Sequence, residues 1–550
     1  MRNVFRIVIF FIALASISAT YLEHNLQSHQ LLRRSESVDT LSLQSQSRIQ
    51  SIQKSGQTLR TRLMKLNQNL HAQLKSSSDE SEETLYLDLF PDLQIEVQKR
   101  ISYVNPNGLR SWIGSSKADP YSRAVFTFDT TGFVGHLLIK GIRYKITPLE
   151  NGWHLVSEIN PKAFLFEQED AIEISPDPNR VTTQSDTFND GTYVDLMALY
   201  SADAVATDPS IVTTITNIIA TTNEALAKSC IQFRIRLVNT QQIAYSETLA
   251  GSDLLSCMSS PADGCLDTIA GIRASNGADI VSMWQANPVA IAYLPTQGVS
   301  NPDGGFMANS VYGVVDAGNF MHEFGHIIGI NHDRYSEDKS DYDYNDAKGA
   351  AYDYVDMTSN LSTNVARGAS CYYADLGCYT TDLYSNPRVL RYGRMVGKPG
   401  IADAASVANK QRFFLADYAQ SLSAHSPDLS GCDVTADTAK SLPQCFVSTA
   451  AYGSPLSPHV QTLRDFRDHW LNTHFLGRKL VDTYYSVAPP IARKIENNPF
   501  LKKSTQFLLA PVVFSLIHPW AMLALIIVVA GILWLLPNLI QARKTRKNLG

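Results

Sequence analysis

The run from His322 to His332, His-Glu-Phe-Gly-His-Ile-Ile-Gly-Ile-Asn-His, constrains this chain more than any other stretch. On an α-helix, His322 and His326 stand one turn apart on the same face, so two imidazoles can reach one metal ion. Glu323 lies beside them but offset, which puts its carboxylate near a water on that metal rather than on the metal itself. Gly329 is free to adopt a left-handed conformation and end the helix. The chain can then turn back and present His332 as a third ligand. Three protein nitrogens leave a fourth position open, as a catalytic zinc site requires and a closed structural site does not. The competing reading is a buried amphipathic helix, but three histidines and a glutamate are a costly way to fill a core.

The run resembles the metzincin signature H-E-x-x-H-x-x-G-x-x-H, followed here by Asp333 as in the reprolysin-like branch. That resemblance implies a zinc-dependent metalloendopeptidase with one catalytic Zn2+ on His322, His326 and His332, and with Glu323 as general base. It also implies an α/β fold, a metzincin-type catalytic domain with a mixed sheet and long helices. The residues agree: Val194 to Tyr200 reads as a strand, Ile211 to Ala227 as a helix, and Ile231 to Val238 and Asp279 to Trp284 as further strands. Metzincins place an antiparallel edge strand above the cleft, where an extended peptide can pair. Ala290 to Leu294 and Phe306 to Ser310 are the candidates. Tyr384-Ser-Asn-Pro387, with Gly393 and Gly397, is similar to the segment that walls the substrate pocket. The family also carries a methionine in a tight turn beneath the histidines. By position this turn falls near Arg367 to Tyr372, with Ser370 or Cys371 in the methionine's place; Met357 sits in an unmatched setting. The resemblance, in its peptidyl-Asp metalloendopeptidase-like form, suggests cleavage on the amino side of acidic residues.

Upstream, the period changes to two from Leu85 onward, the mark of a small β-rich domain over residues 85–170. Its Trp112-Ile-Gly and Gly-Phe-Val-Gly elements resemble the propeptide domain of peptidyl-Asp metalloendopeptidase-like proteins, which implies a zymogen. No cysteine precedes Cys230, so a cysteine switch is excluded. A permanent β-domain unconnected with latency is the alternative. Residues 171–192 read as linker and processing zone, and 193–423 as the catalytic domain. Residues 20–84 read as a polar helical spacer and linker: Ile49, Ile52, Leu59, Leu63, Leu66, Leu70 and Leu74 recur at helical steps, broken at Gly56.

The two ends suggest location. Arg2 and Arg6, the apolar run Ile7 to Leu14 and small residues to Ala19 have the layout of a signal peptide over residues 1–19, an uncleaved anchor being the alternative. Residues 519–540 are apolar and long enough for a transmembrane helix. The basic tail 541–550, with Arg543, Lys544, Arg546 and Lys547, favours a cytoplasmic C-terminus. The ectodomain is then extracellular or periplasmic. After a linker at 424–444, Cys445-Phe-Val-Ser and Leu463-Arg-Asp-Phe-Arg-Asp468 resemble a bacterial CFI-box module over 445–506, ahead of an interfacial segment at 507–518. A plain helical stalk is the competing view.

Charge and cysteines narrow the classes. A net charge of −5 on 550 residues gives no sign of nucleic-acid binding. The partners expected are a protein or peptide substrate and a membrane. Spacing suggests the pairs Cys257–Cys265, Cys371–Cys378 and Cys432–Cys445, leaving Cys230 as the odd one of seven cysteines. Asp338, Asp341, Asp343 and Asp346 offer oxygens to Ca2+, though a solvated acidic loop fits them better. The rival function is a membrane-anchored binding or adhesion protein with a decayed protease domain.

Overall fold

A computed structural model describes residues 30–33, 41–77, 83–165, 171–176, 190–249, 251–334, 351–356, 361–366, 379–391, 394–398, 400–422, 432, 446–452, 459, 462–463, 466, 495 and 498–517. The chain divides into two compact units, 1–438 and 439–550.

The larger unit begins with a single antiparallel sheet. Its strands are β1 (Leu32–Arg33), β2 (Thr58–Leu66), β3 (Thr84–Phe90), β4 (Leu93–Val104), β5 (Arg110–Ser115), β6 (Arg123–Phe128), β7 (Phe133–Ile139), β8 (Ile142–Pro148) and β9 (Trp153–Ile159). They lie in the order β1-β2-β9-β8-β7-β6-β5-β4-β3. Alternation sorts the side chains. Phe126 and Phe128, Phe133 and Leu137, and Tyr144 and Ile146 share one core with Trp112 and with Leu70 and Leu74. The helix α1 (Leu43–Lys54) and the helix α2 (Gln68–Ser76), which carries those two leucines, flank β2 in sequence. The opposite face is buried too, with Ile113 and Val125 against Ala220 of the layer that follows.

This corrects the helical spacer expected over residues 20–84. Gly56 ends α1 with φ 73°, but Leu59, Leu63 and Leu66 then lie on a strand paired antiparallel with β9. The run Thr58–Leu66 has apolar residues compatible with either period. The open edge of β9 supplies ladder partners that no sequence window contains, and long-range pairing overrides the local preference.

The sheet that follows is mixed. It is built from β10 (Ile172–Ile174), β11 (Tyr193–Tyr200), β12 (Arg234–Gln242), β13 (Ile280–Gln285), β14 (Ala290–Pro295) and β15 (Phe306–Ser310). The order is β10-β14-β15-β13-β11-β12. All pairs are parallel except β14 with β15. The long helices α3 (Ile211–Lys228), α4 (Asp316–Ile327) and α5 (Ala404–Leu415) accompany it. Ile215, Ile218, Leu226, Phe233, Trp284, Phe320 and Phe324 fill the core between helices and sheet. Trp284 stacks on Phe320 at 5.6 Å, and Phe320 on Phe324 at 6.0 Å. The mixed α/β architecture is the expected one.

Cys257 pairs with Cys265, as spacing suggested. Cys230 is not the odd thiol: it bonds Cys432, 202 residues away, which overturns the expected Cys432–Cys445 pair. Spacing arguments favour small loops, whereas this bridge depends on folding that brings the end of α3 to the chain beyond α5. Cys371, Cys378 and Cys445 lie outside the described residues.

In the smaller unit, the helices Phe446–Tyr452 and Pro499–Ile517 pack through Val447, Ala451, Ile495 and Leu509. The 507–518 segment belongs largely to the second helix, with Phe507 and Leu508 exposed. Among the described residues no helix is long and apolar enough to cross a membrane. The expected signal peptide at 1–19, the transmembrane segment at 519–540, the basic tail and most of the CFI-box-like region lie outside them.

Candidate metal centre

Helix α4 carries His322, Glu323 and His326 on its buried length. Its C-terminus is closed by backbone bonds: Ile328 N–H to Phe324 O (3.1 Å), Gly329 N–H to His326 O (2.9 Å) and Ile330 N–H to Gly325 O (2.9 Å). Gly329 has φ 85°, the left-handed turn that glycine adopts without a Cβ penalty. A Cβ there would meet nothing closer than 3.4 Å, so the constraint is conformational and not spatial. The chain then reverses into β16 (Asn331–Asp333), which pairs with β17 (Tyr352–Asp353) and carries His332.

The three imidazoles converge. Ring centroids are 4.8 Å apart for His322–His326, 5.2 Å for His322–His332 and 4.8 Å for His326–His332. One ligand atom from each lies within 4.8 Å of the others, and all three residues are buried. The outer nitrogens of two rings are fixed: His322 Nδ1 donates to Asn364 O (3.1 Å) and His326 Nδ1 to Ile330 O (2.8 Å). A carbonyl only accepts, so both Nδ1 atoms carry the hydrogen and both Nε2 atoms present lone pairs. Those two Nε2 atoms are 3.1 Å apart. Lone pairs that close repel unless a cation lies between them. The donor set therefore fits Zn2+, with backbone carbonyls orienting the ligands from behind. Glu323 is fully buried on the same helix.

Beneath α4 the chain passes through Thr363, Asn364 and Val365. A Cβ on Gly325 would come within 2.2 Å of Val365 Cγ2 and 3.1 Å of Tyr384, so α4 rests on these two side chains and needs glycine there. Tyr384 Oη donates to Met321 O (2.8 Å). Asp353 ties the layer together by accepting from Val365 N (2.6 Å) and Ser385 N (2.6 Å). Burial pushes its carboxyl up to about 7. The floor was expected near Arg367 to Tyr372. Those residues, with Met357, Gly393 and the aspartates 338, 341, 343 and 346, lie outside the described ones, and Val365 is the apolar residue found against Gly325. Tyr384, Ser385 and Asn386 are fully buried and tie strands and helices together. Asn364 and Val365 escaped the sequence reading because an Asn-Val pair carries no metal-site signal.

The nine-stranded sheet reaches this centre. On β6, β7 and β8 the face opposite the Phe126 core holds Arg123, His136, Arg143 and Lys145. Lys145 Nζ donates to Asp316 Oδ2 (2.6 Å), and His136 Nε2 lies 3.2 Å from Asp316 Oδ1. Asp316 opens α4 and is buried. Burial alone would raise its carboxyl; Lys145 and His136 reverse this and hold it below the usual carboxylate range. Arg123 and Arg143 both bind Asp382. Burial would raise Asp382 as well, but the two guanidiniums bring it down. These contacts were missed because alternation makes such positions look solvent-facing.

The match to a known family spans the three histidines and Glu323. Residues 192–380 match the family model described as metallo-peptidase family M12B, reprolysin-like. No curated protein matches. Among solved structures, one described as a chaperone–substrate complex is similar over 53% of this chain at 16% identity and TM-score 0.31; the chain spans 40% of that structure's length. Metalloproteinase-II from Bacteroides fragilis is similar over 48% of this chain and 85% of its own, at 11% identity and TM-score 0.31. On the family match, residues 192–380 of this chain form a reprolysin-like metallopeptidase domain of family M12B.

Proposed function

We propose that this protein is a zinc endopeptidase in which His322, His326 and His332 hold the metal and Glu323 is the general base. The observation that carries the reading is the facing pair of Nε2 lone pairs at 3.1 Å, each fixed by a carbonyl behind its ring. Zinc held by these three rings would lower the pKa of a water and polarise the scissile carbonyl. Glu323 accepts the proton of the attacking water and passes it to the departing amine. The Asn364 and Ile330 carbonyls keep the two rings in their working tautomer.

Substrate is held by the edge of β14. An extended peptide adding to that edge gains ladder hydrogen bonds regardless of its sequence. In the present structure β10 holds that edge, with Ile172, Glu173 and Ile174 opposite Tyr293, Leu294 and Pro295, and Thr296 N donates to Ile174 O (3.3 Å). This supports the zymogen reading: residues 172–174 must leave before a substrate strand can enter, and cutting within 177–189 would free them. The protein acts outside the cytoplasm, held by a single C-terminal span at 519–540. Extraction of native membranes with carbonate and then detergent tests the anchoring.

The decisive experiment incubates the purified protein, with and without a zinc chelator, with a peptide library and maps cut sites by mass spectrometry. Chelator-sensitive cleavage, rising after a cut within 177–189, is the expected result. No cleavage by protein shown to hold zinc would leave the decayed, binding-only reading.

A further inference from the structure

We infer that the nine-stranded sheet is a lasting element of the metal site's framework, with Arg143 as the positioning residue through which it acts on His322. This inference rests on the metallopeptidase reading above. Arg143 lies on β8, on the face turned toward the reprolysin-like domain. Its Nη2 donates to Asn364 Oδ1 (3.2 Å) and to Thr380 Oγ1 (3.1 Å), and its guanidinium grips Asp382 at 2.5 Å. Asn364 in turn accepts the Nδ1 proton of His322 through its carbonyl. Asn364 N donates to Leu383 O (2.7 Å), and its Nδ2 lies 3.7 Å from the sulfur of Met321, the residue before His322. The path from a strand of the N-terminal sheet to a metal-binding ring is thus two hydrogen bonds long.

A second attachment is independent of the first. Asp316 begins the metal-binding helix, six residues before His322, and is satisfied from β7 and β8 by His136 and Lys145. The register explains the arrangement. Arg123 faces Leu138, which faces Arg143; Val125 faces His136, which faces Lys145. Two adjacent rows across three strands therefore serve two carboxylates, one under the start of α4 and one beside Asn364. Here Asp316 and Asp382, with side chains 0% and 1% exposed, take their cations from the sheet and would lose them on its departure. On activation the strand Ile172–Ile174 then comes off β14 while remaining joined to the sheet, and the sheet stays.

The test measures zinc affinity of the full chain by competition with a chromophoric chelator, alongside the thermal midpoint. Arg143→Lys keeps a cation for Asp382 but cannot also bridge to Asn364, and it should weaken zinc binding about tenfold, the low end for outer-shell partners of a ligating histidine. Arg123→Lys perturbs the same ion pair without touching the Asn364 bond. It should lower the midpoint while leaving zinc affinity within about twofold. Should Arg143→Lys fail to fold, Asn364→Ala keeps the carbonyl, removes the amide that Arg143 holds, and should cost a similar factor. Wild-type affinity in the Arg143 or Asn364 variant, or equal losses in the Arg143 and Arg123 variants, overturns the inference. Absence of zinc binding by the wild-type chain would instead refute the metallopeptidase reading itself.

Discussion

The nine-stranded sheet with its flanking helices and the reprolysin-like domain bury histidines in opposite ways. In the first, each described ring is tied into the protein. His71 Nε2 meets Gly132 O at 2.9 Å; His154 lies between Gly152 O at 3.2 Å and Phe133 N at 3.3 Å; His136 lies between Asn217 and Asp316. In the reprolysin-like domain, His322 and His326 are tied on their outer side to carbonyls, and the inner nitrogens of the triad converge on one point. Burial is nearly the same in the two groups. What separates a structural histidine from a metal ligand is therefore the direction of its second nitrogen, which the residue type alone never reveals.

The sharpest break of this comparison comes at Glu323, where chemistry and packing separate. Glu323→Gln changes the charge and hardly the shape, so zinc content should persist while kcat falls by about 10²–10⁴-fold, the range for losing a general base. His326→Ala removes a ligand and should lower zinc content as well, read by elemental analysis. Retained turnover would place the base elsewhere, and metal-free Glu323→Gln protein would mean that the carboxylate helps hold the metal.

Much of the reprolysin-like domain was legible because its signals are local. Strands β11, β13, β14 and β15 and helix α3 fall within a few residues of the expected bounds, and the metal helix follows from one eleven-residue run. The N-terminal sheet was less legible. Thr58–Leu66 joins it only because β9 offers an edge about 100 residues away in sequence. Arg123, His136, Arg143 and Lys145 occupy the nominally outward positions of amphipathic strands, and a second layer of protein buries them. The floor under α4 shows a third limit: Val365 works by shape against Gly325, and shape complementarity leaves no composition signal.

Lys145 tests whether the N-terminal sheet is structurally committed to α4. Lys145→Met leaves Asp316 buried with His136 beside it, and breaking one side of a buried pair costs about 3–5 kcal/mol. Denaturant titration should show that loss in the full chain. The double change Lys145→Met with Asp316→Asn should recover some of it, since no carboxylate is then stranded. A loss below about 1 kcal/mol, the scale of surface pairs, would mean that water replaces the lysine.

His154 supplies the pH counterpart from the structural group of histidines. Burial pushes its ring from an ordinary 6.5 down to about 4. The geometry agrees, because Nε2 accepts from Phe133 N–H and protonation would turn that acceptor into a donor. With the folded pKa depressed, the stability it contributes is present above pH 6.5 and is lost as pH falls through 4, roughly 3 kcal/mol in all. Unfolding measured between pH 7 and pH 4 should therefore show a slope that His154→Gln flattens. An unchanged slope in that variant would assign the acid sensitivity to other groups.

The smallest effect concerns the contact that sets α4 on its floor. Gly325→Ala should gain up to about 1 kcal/mol from helix propensity, but its Cβ would arrive 2.2 Å from Val365 Cγ2, and overpacking of a tight core costs about 1–3 kcal/mol. The net expectation is a loss of about 1 kcal/mol, with zinc affinity reduced because His322 and His326 flank the strained position. Val365→Ala on top of Gly325→Ala vacates the colliding methyl, so the pair should be more stable than Gly325→Ala alone. That sign reversal is specific to direct contact. If the two changes merely add, α4 does not rest on Val365, and the support for the metal-binding face must come from Tyr384 and Asn364 instead.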